Sequence, residues 1–199
     1  MNVAILAGGR GKRIGMDKGF LRFKGRLFGE ILVERFRDCN AVFVCRDEEQ
    51  AKIYERTFKC TVITDVVRNY SPLAGILSAL EYFEDYTLIL AVDMPFVKRR
   101  LAEFIYERAR GYDALIPTWS DGKKEPLLAC YSPNAIPEIR RSIERGIKRV
   151  VKPLEKLKTL FYPIELLRIY DENLISFTNV NTPKDLEMIE CLSIDLEGL

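Results

Sequence analysis

Short runs rich in valine, isoleucine and leucine alternate along the chain with longer amphipathic stretches, and this alternation limits the possible folds most. A run that is apolar throughout is typical of a strand buried on both faces, as in a parallel sheet covered by helices. The sequence therefore predicts an α/β fold, a single layered domain with a mainly parallel central sheet flanked by helices. The predicted strands cover residues 3–7, 41–45, 62–64, 88–92, 114–116, 127–131 and 175–179.

Apolar residues at helical spacing predict the helices that cover this sheet. Within residues 26–37, Leu27, Ile31, Val33 and Phe36 recur at roughly this spacing. The other predicted helices cover residues 72–83 and 99–110, two helices within 133–158, and a last one at 183–192. No linker rich in glycine, serine and proline divides the 199 residues, a length that favours one domain.

The absence of histidine restricts the chemistry of the chain. It excludes serine–histidine triads, cysteine–histidine dyads, histidine-bound metals and imidazole bases, so catalysis must depend on carboxylates, cations or a metal. The five cysteines are widely spaced and form no C-x-x-C pair, which argues against a disulfide framework or a zinc ribbon. We expect reduced thiols, mostly buried, at Cys39, Cys45, Cys60, Cys130 and Cys191.

The formal net charge is only +2, which does not predict a nucleic-acid-binding protein. Positive charge is nevertheless concentrated in residues 1–26, where seven lysines and arginines face a single acidic residue, Asp17. No apolar run approaches the ~18 residues of a membrane-spanning helix. The first residues also lack the charge order of a signal peptide, so we expect a cytoplasmic protein without a membrane partner.

A glycine- and lysine-rich segment, GGRGKRIGMDK, follows the first predicted strand at residues 8–18. Ligands of open parallel sheets bind beyond the carboxyl ends of the strands, and glycines there allow backbone N–H groups to surround a phosphate. The dinucleotide fingerprint fails, because counting from Gly9 gives Gly11 and then Ile14. A P-loop also fails, because Arg13 follows Gly11-Lys12 where serine or threonine is required.

Polar residues at the ends of other predicted strands are candidate ligands. Asp93 follows residues 88–92, where a carboxylate suits Mg²⁺, although an aspartate before Met-Pro is also a common turn residue. Asp65 follows residues 62–64 and is either a nucleotide ligand or a strand-terminal cap. Asn179 and Asn181 point to the same side of an extended chain, where they either bind a ligand or cap a turn.

Four motifs in order resemble one family of enzymes. LAGGRGKRIGMDK is similar to LAGG-x-G-x-R-M-G-x-D-K, the signature of nucleotidyltransferases with a Rossmann-like fold that make the guanine dinucleotide form of molybdopterin. SPLAGI at 71–76, AVDMPF at 91–96 and FTNVNTPKDL at 177–186 resemble the family's GPLAGI, CDMPF and F-x-N-x-NTP-x-DL. The chain departs from the family at Ile14 (usually Met), at Cys45 (often Asn) and at Ser71 (usually Gly).

The resemblance implies a molybdenum cofactor guanylyltransferase, which joins GMP from GTP to the terminal phosphate of molybdopterin and releases pyrophosphate, with Mg²⁺ as cofactor. Such a transfer depends on positioning and charge neutralisation, and the attacking phosphate is already ionised, so a chain without histidine is competent for it. The resemblance also allows transient contacts with other proteins of molybdenum cofactor biosynthesis.

Residue roles follow from the same resemblance, position by position. The nucleotide-binding half is expected at about residues 1–97 and the acceptor-binding half at about 98–199. Catalytic roles are implied for Arg13, Lys18 and Asp93, the last also as the metal ligand. The resemblance implies nucleotide binding by Leu6, Ala7, Gly8, Gly9, Gly11, Lys18, Asp65 and Asp93, and acceptor binding by Pro126, Asn179 and Asn181.

Two other functions compete with this one. One is another nucleotidyltransferase of the same fold, which uses CTP with molybdopterin or joins a nucleotide to a sugar or alcohol phosphate. LAGG rather than LAAG, together with NVNTP, favours the guanylyl branch. The other is a non-catalytic nucleotide-binding protein, which the combined presence of Arg13, Lys18 and Asp93 argues against.

Overall fold

The computed structural model describes residues 1–8, 17–67 and 71–181, together with Asp185 and Glu187. Nine strands are found in this part of the chain: β1 (Asn2–Leu6), β2 (Arg22–Phe23), β3 (Arg26–Leu27), β4 (Asn40–Cys45), β5 (Thr61–Thr64), β6 (Thr87–Ala91), β7 (Ala114–Thr118), β8 (Leu128–Tyr131) and β9 (Thr159–Pro163). Seven of them form the central sheet in the order β5-β4-β1-β6-β8-β7-β9.

The central sheet is mainly parallel, and β8 alone among its described strands runs the other way. The carboxyl ends of β1, β4, β5, β6 and β7 therefore meet at one edge, together with the start of β8. The chain passes from β1 to β4 and β5 on one side and then to β6 on the other, which is the kind of switch point where open α/β sheets bind ligands. The predicted fold class is confirmed.

Helices cover both faces of this sheet: α1 (Phe28–Arg35), α2 (Glu48–Phe58), α3 (Pro72–Phe83), α4 (Arg99–Arg108), α5 (Ile136–Glu144) and α6 (Val151–Leu154). Because side chains alternate along a strand, Val3 and Ile5 pack in the core beneath α1, α2 and α4. Ala4 and Leu6 pack in the opposite core beneath α3, α5 and α6. Burial on both faces explains why the strands read as uninterrupted apolar runs.

A two-stranded hairpin of β2 and β3 precedes α1. Its turn residues, Lys24 and Gly25, have φ angles of +47° and +81°, as in the type I′ turns that suit the twist of a hairpin. The predicted helix at 26–37 therefore begins only at Phe28, because Arg26 and Leu27 pair with β2.

The predicted strand at 175–179 is wrong, because Ile175–Phe177 form a 3₁₀ turn. The backbone N–H of Ser176 donates to Asp171 Oδ2 at 2.7 Å, and its hydroxyl accepts from the N–H of Lys98 at 2.9 Å. Ser176 and Asp171 are buried, so these side-chain contacts compete successfully with strand pairing.

The remaining sequence predictions have mixed outcomes. The two helices predicted within 133–158 are confirmed by α5 and α6, whereas the helix predicted at 183–192 lies mostly outside the described residues. The four described cysteines are free thiols; Cys45 and Cys130 are buried, while Cys39 and Cys60 are half-buried. Among the described helices, none combines the length and the apolar composition that crossing a membrane requires.

Candidate active site

Three polar side chains from distant parts of the sequence meet at the carboxyl edge of the sheet. Lys18 Nζ lies 2.5 Å from Asp93 Oδ2 and 2.6 Å from Asn181 Oδ1. Lys18 is the last residue of the glycine- and lysine-rich segment and begins a short 3₁₀ turn, and Asp93 lies two residues beyond β6. The structure thus brings together one predicted residue from each of three motifs.

A small apolar cluster positions these three residues. This hairpin cluster consists of Leu21, Phe23, Phe28, Ile31, Phe96 and Val180, all buried. The rings of Phe23 and Phe96 meet edge to face with centroids 4.9 Å apart. The N–H of Val180 also donates to the carbonyl of Asp93 at 2.9 Å, which joins the two segments directly. Lys18, Asp93 and Asn181 each lie within three residues of a cluster member.

The charges of this site are only partly satisfied by its own residues. Asp93 Oδ1 is buried and has no hydrogen-bond partner within the described ranges. A buried carboxylate oxygen without a hydrogen-bond partner costs free energy, and a bound hard cation would offset that cost. Lys18 has three N–H donors; among the described residues Asp93 and Asn181 accept two of them, and an anionic ligand can accept the third.

The described residues contain no group of three or more carboxylate or thiol side chains that could bind a metal ion together. A cation at Asp93 would therefore take most of its ligands from substrate phosphates and water. This arrangement is the usual one for Mg²⁺, which retains several waters and binds through one or two carboxylates.

The ends of β1, β4 and β5 form the other side of the site. The N–H of Ala7 donates to the carbonyl of Val44 at 2.9 Å, and the N–H of Asp65 donates to the carbonyl of Cys45 at 2.8 Å. A Cβ atom on Gly8 would lie 3.6 Å from Asp65 Oδ2, and one on Gly75 would lie 3.5 Å from Oδ1. The carboxyl group of Asp65 therefore lies between two glycines, beside the start of the glycine- and lysine-rich segment.

Burial raises the pKa of Asp65 to about 7. Its side chain is half-buried, and desolvation disfavours the ionised form. Aspartate in an unfolded chain titrates near 3.9, so the folded protein binds this proton more tightly. The contribution of Asp65 to the free energy of unfolding thus falls as the pH rises from about 4 to about 7. Above pH 7 the full cost of burying its ionised carboxylate is present.

We expect Asp65→Asn to stabilise the protein more at pH 8 than at pH 5. The amide removes the cost of burying a charge, and that cost is larger at the higher pH. Because the carboxyl group keeps part of its hydration, we expect the two gains in unfolding free energy to differ by roughly 1–2 kcal/mol. Urea unfolding of parent and variant at both pH values measures this difference, and identical gains at pH 5 and pH 8 would contradict it.

The predicted acceptor residues lie at the same edge. The carbonyl of Leu127 accepts from the N–H of Ala91 at 2.9 Å, which sets the neighbouring Pro126 beside the end of β6. The carbonyl of Pro126 accepts from the hydroxyl of Tyr131 at 2.9 Å. Asn179 is half-buried, two residues before Asn181.

Several sequence predictions are tested only in part. Gly9, Gly11 and Arg13 lie outside the described residues. Cys45 belongs to the core and is fully buried, so its thiol offers no contact to a base at the edge. Sequence reasoning missed Gln50 and Tyr54, which contact the residue before Lys18 although they belong to none of the four motifs.

A mainly parallel sheet whose carboxyl edge carries a lysine, an incompletely partnered carboxylate and asparagine amides offers the groups that the transfer of a phosphorylated group requires. Residues 3–159 match the model of the MobA-like NTP transferase domain, and the chain belongs to this family of nucleotidyltransferases. The family membership indicated by the four motifs is confirmed.

Relatives and solved structures agree with this assignment. A probable molybdenum cofactor guanylyltransferase of Methanosarcina mazei is 35% identical, over 92% of this chain and 87% of its own length. One from Natranaerobius thermophilus is 34% identical, over 94% of this chain and 93% of its own.

The crystal structure of molybdopterin-guanine dinucleotide biosynthesis protein A from Archaeoglobus fulgidus superposes with a TM-score of 0.90 and 41% identity, covering 96% of this chain and 98% of that one. A 2-C-methyl-D-erythritol 4-phosphate cytidylyltransferase from Thermus thermophilus, at 16% identity and a TM-score of 0.67 over 96% of this chain and 97% of that one, shares the fold alone.

Proposed function

We propose that the protein transfers GMP from GTP to the terminal phosphate of molybdopterin and releases pyrophosphate. The guanylyltransferase activity predicted from the motifs is confirmed by relatives named for it, which match this chain over nearly its whole length. The observation that carries the assignment of the site is the meeting of Lys18, Asp93 and Asn181 at the carboxyl edge of a nucleotidyltransferase sheet.

The chemistry fits the groups that this edge offers. An oxygen of the molybdopterin phosphate forms a bond to the α-phosphorus of GTP, and the bond from that phosphorus to the bridging oxygen of pyrophosphate breaks. The attacking oxygen is already ionised, so no base is needed. Lys18 binds phosphate oxygens through its remaining N–H and stabilises charge that develops during transfer. Arg13, assigned by the motif alone, offsets the charge of the leaving pyrophosphate.

We assign Mg²⁺ binding to Asp93. Nucleotidyl transfer generally uses a divalent metal, and Asp93 Oδ1, which is buried and has no partner among the described residues, is a hard oxygen donor that fits Mg²⁺. When bound there, Mg²⁺ supplies positive charge to the phosphate oxygens during the transfer. Asp93 also binds the ammonium group of Lys18, so one carboxylate organises both positive groups.

The two sides of the site support separate binding roles. Leu6 ends β1, Ala7 and Gly8 follow it, and Gly8 lies next to Asp65. We assign nucleotide binding to these four residues, together with Gly9, Gly11, Lys18 and Asp93. Pro126, Asn179 and Asn181 lie on the other side, and we assign molybdopterin to them. This division corresponds to a nucleotide half at about residues 1–97 and an acceptor half at about 98–199. Cytoplasmic location and transient contacts with other proteins of molybdenum cofactor biosynthesis belong to the same proposal.

We expect GTP to be the preferred nucleotide. The guanine edge is read mainly by backbone groups near residues 6–8, which do not depend on the buried thiol of Cys45. The test measures pyrophosphate released from GTP, ATP, CTP and UTP with Mg²⁺, each with and without molybdopterin. GTP should exceed the others roughly tenfold or more, a discrimination that loss of about one buried hydrogen bond produces.

The same assay separates the competing functions. Faster turnover of CTP than of GTP with molybdopterin would identify a cytidylyltransferase instead. Binding of GTP without any release of pyrophosphate would indicate a non-catalytic protein. The Asp93→Asn variant, which keeps the shape of the side chain but loses its charge, serves as the inactive control.

A further inference from the structure

Two buried side chains of α2, Gln50 and Tyr54, contact the segment that carries Lys18. Gln50 is 2% exposed and Tyr54 is fully buried. The helix itself is well anchored, because Asp47 caps its first turn by accepting from the N–H of Gln50 at 2.8 Å. The next turn places Tyr54 four residues on, on the same face of the helix.

Gln50 bonds to both sides of the glycine- and lysine-rich segment. Its Nε2 donates to the carbonyl of Ala7 at 3.1 Å and to Asp17 Oδ2 at 2.5 Å. Its Oε1 accepts from the N–H of Arg46 at 2.9 Å, which fixes the orientation of the amide. Residues 8–16 lie between these two attachment points. Gln50 therefore holds Asp17 at a fixed distance from Ala7, just beyond the end of β1.

Tyr54 bonds to the same aspartate. Its hydroxyl donates to Asp17 Oδ1 at 2.5 Å, and that oxygen also accepts from the N–H of Gly19 at 3.1 Å. Burial raises the pKa of Tyr54, so its hydroxyl remains a donor at every physiological pH. A Cβ atom on Gly19 would lie 2.2 Å from the tyrosine oxygen, so only glycine permits this approach.

These contacts hold the residues immediately before and after Lys18. Asp17, immediately before it, has both carboxylate oxygens bonded to α2, and Gly19, immediately after it, packs against Tyr54. The guanidinium of Arg46, 3.8 Å from Asp17 Oδ2, offsets the charge of this half-buried carboxylate. Because the backbone is held on both sides of Lys18, the position of its ammonium group depends mainly on the rotamers of its side chain.

We propose that Gln50 and Tyr54 are positioning residues for nucleotide binding: through Asp17 they fix the location of Lys18. The proposal rests on the role assigned above to Lys18. It differs from a purely packing role in one measurable respect, which is that the effect of Tyr54 on nucleotide affinity must depend on the presence of Lys18.

The test is a double-mutant cycle of Tyr54→Phe with Lys18→Ala, read out as the affinity for a fluorescent GTP analogue in the presence of Mg²⁺. With Lys18 present, loss of the hydroxyl should weaken binding roughly 5- to 20-fold, in line with hydrogen bonds to a charged partner. In the Lys18→Ala background, the same change should weaken binding less than about twofold, because the group being positioned is absent.

Tyr86→Phe is the matched control. Its hydroxyl donates to the carbonyl of Tyr112 at 3.1 Å, near the amino end of β6 and away from the site, so binding of the analogue should change less than about twofold. Melting temperatures of both phenylalanine variants show whether they are folded at the assay temperature. Asp17→Asn provides a second variant, because the Nδ2 donors of the new amide would face the Nε2 donors of Gln50. Its effect on binding of the analogue should show the same dependence on Lys18.

The outcomes are distinguishable. Equal losses from Tyr54→Phe in both Lys18 backgrounds, or no loss in either, would overturn the positioning role and leave the proposed function intact. A Lys18→Ala protein that binds the analogue as tightly as the parent would overturn the role of Lys18 and this inference with it.

Discussion

Replacement of Asp93 by alanine is expected to lower kcat by a factor of roughly 10³ or more while the protein remains folded. A carboxylate that binds Mg²⁺ at the transferring phosphate contributes several kcal/mol to the transition state, and each 1.36 kcal/mol is a factor of ten in rate. The side chain is 15% exposed and lies at the edge of the sheet, so its removal does not open the core. Steady-state kinetics with GTP and molybdopterin measure the effect.

Two comparisons make this expectation specific. Asp38→Ala removes an aspartate from a surface ion pair with Arg99 and should leave kcat within about twofold of the parent. Binding of Mn²⁺ in the presence of GTP, followed by electron paramagnetic resonance, should weaken in Asp93→Ala and not in Asp38→Ala. Near-normal turnover in Asp93→Ala, or unchanged Mn²⁺ binding, would show that Asp93 is not the metal ligand.

Lys18→Ala is expected to reduce kcat/KM for GTP by roughly 10- to 150-fold. The variant loses a charge-assisted hydrogen bond to phosphate, which contributes about 1.5–3 kcal/mol. Lys18→Arg should recover only part of the activity, because the planar guanidinium does not fit between Asp93 and Asn181 as the compact ammonium group does.

Lys152→Ala is the control for charge alone. Lys152 forms an exposed ion pair with Glu155 in α6, on the face of the sheet opposite α2, and its loss should change kcat/KM less than twofold. Parent-like kinetics for Lys18→Ala would mean that its ammonium group does not contact the substrate. A loss of the same size in Lys152→Ala would indicate a general electrostatic effect instead.

The strands of the central sheet are the part of the fold that the sequence predicts best. Burial on both faces makes inner strands such as β1, β6 and β8 apolar runs, and a polar residue soon after a strand, such as Asp65 or Asp93, marks where the strand reaches the edge. Because parallel strands end at one edge, the meeting of these positions follows from the strand assignment alone.

Other features depend on contacts that local sequence does not encode. The apolar and polar residues at 175–179 predict a strand, but Asp171 and Lys98 bind Ser176 and bend the chain instead. β9 was missed because it is an edge strand that ends in Pro163 and is only partly buried.

The contacts of α2 with Asp17 were also beyond local sequence. The helix that carries Gln50 and Tyr54, α2, was itself not among the predicted helices. Their partner, Asp17, lies more than 30 residues earlier in the chain.

The hairpin cluster has a consequence for the order in which the protein is completed during synthesis. All seven strands of the central sheet have been made once Pro163 leaves the ribosome, yet the cluster still lacks Val180, and Lys18 still lacks Asn181. The sheet can therefore assemble before the site exists, and a chain released before residue 180 would contain every described strand but would lack one of the six members of the hairpin cluster. The central sheet and the meeting of Lys18 with Asn181 are thus completed at different times, and a segment made after the last described strand completes the second.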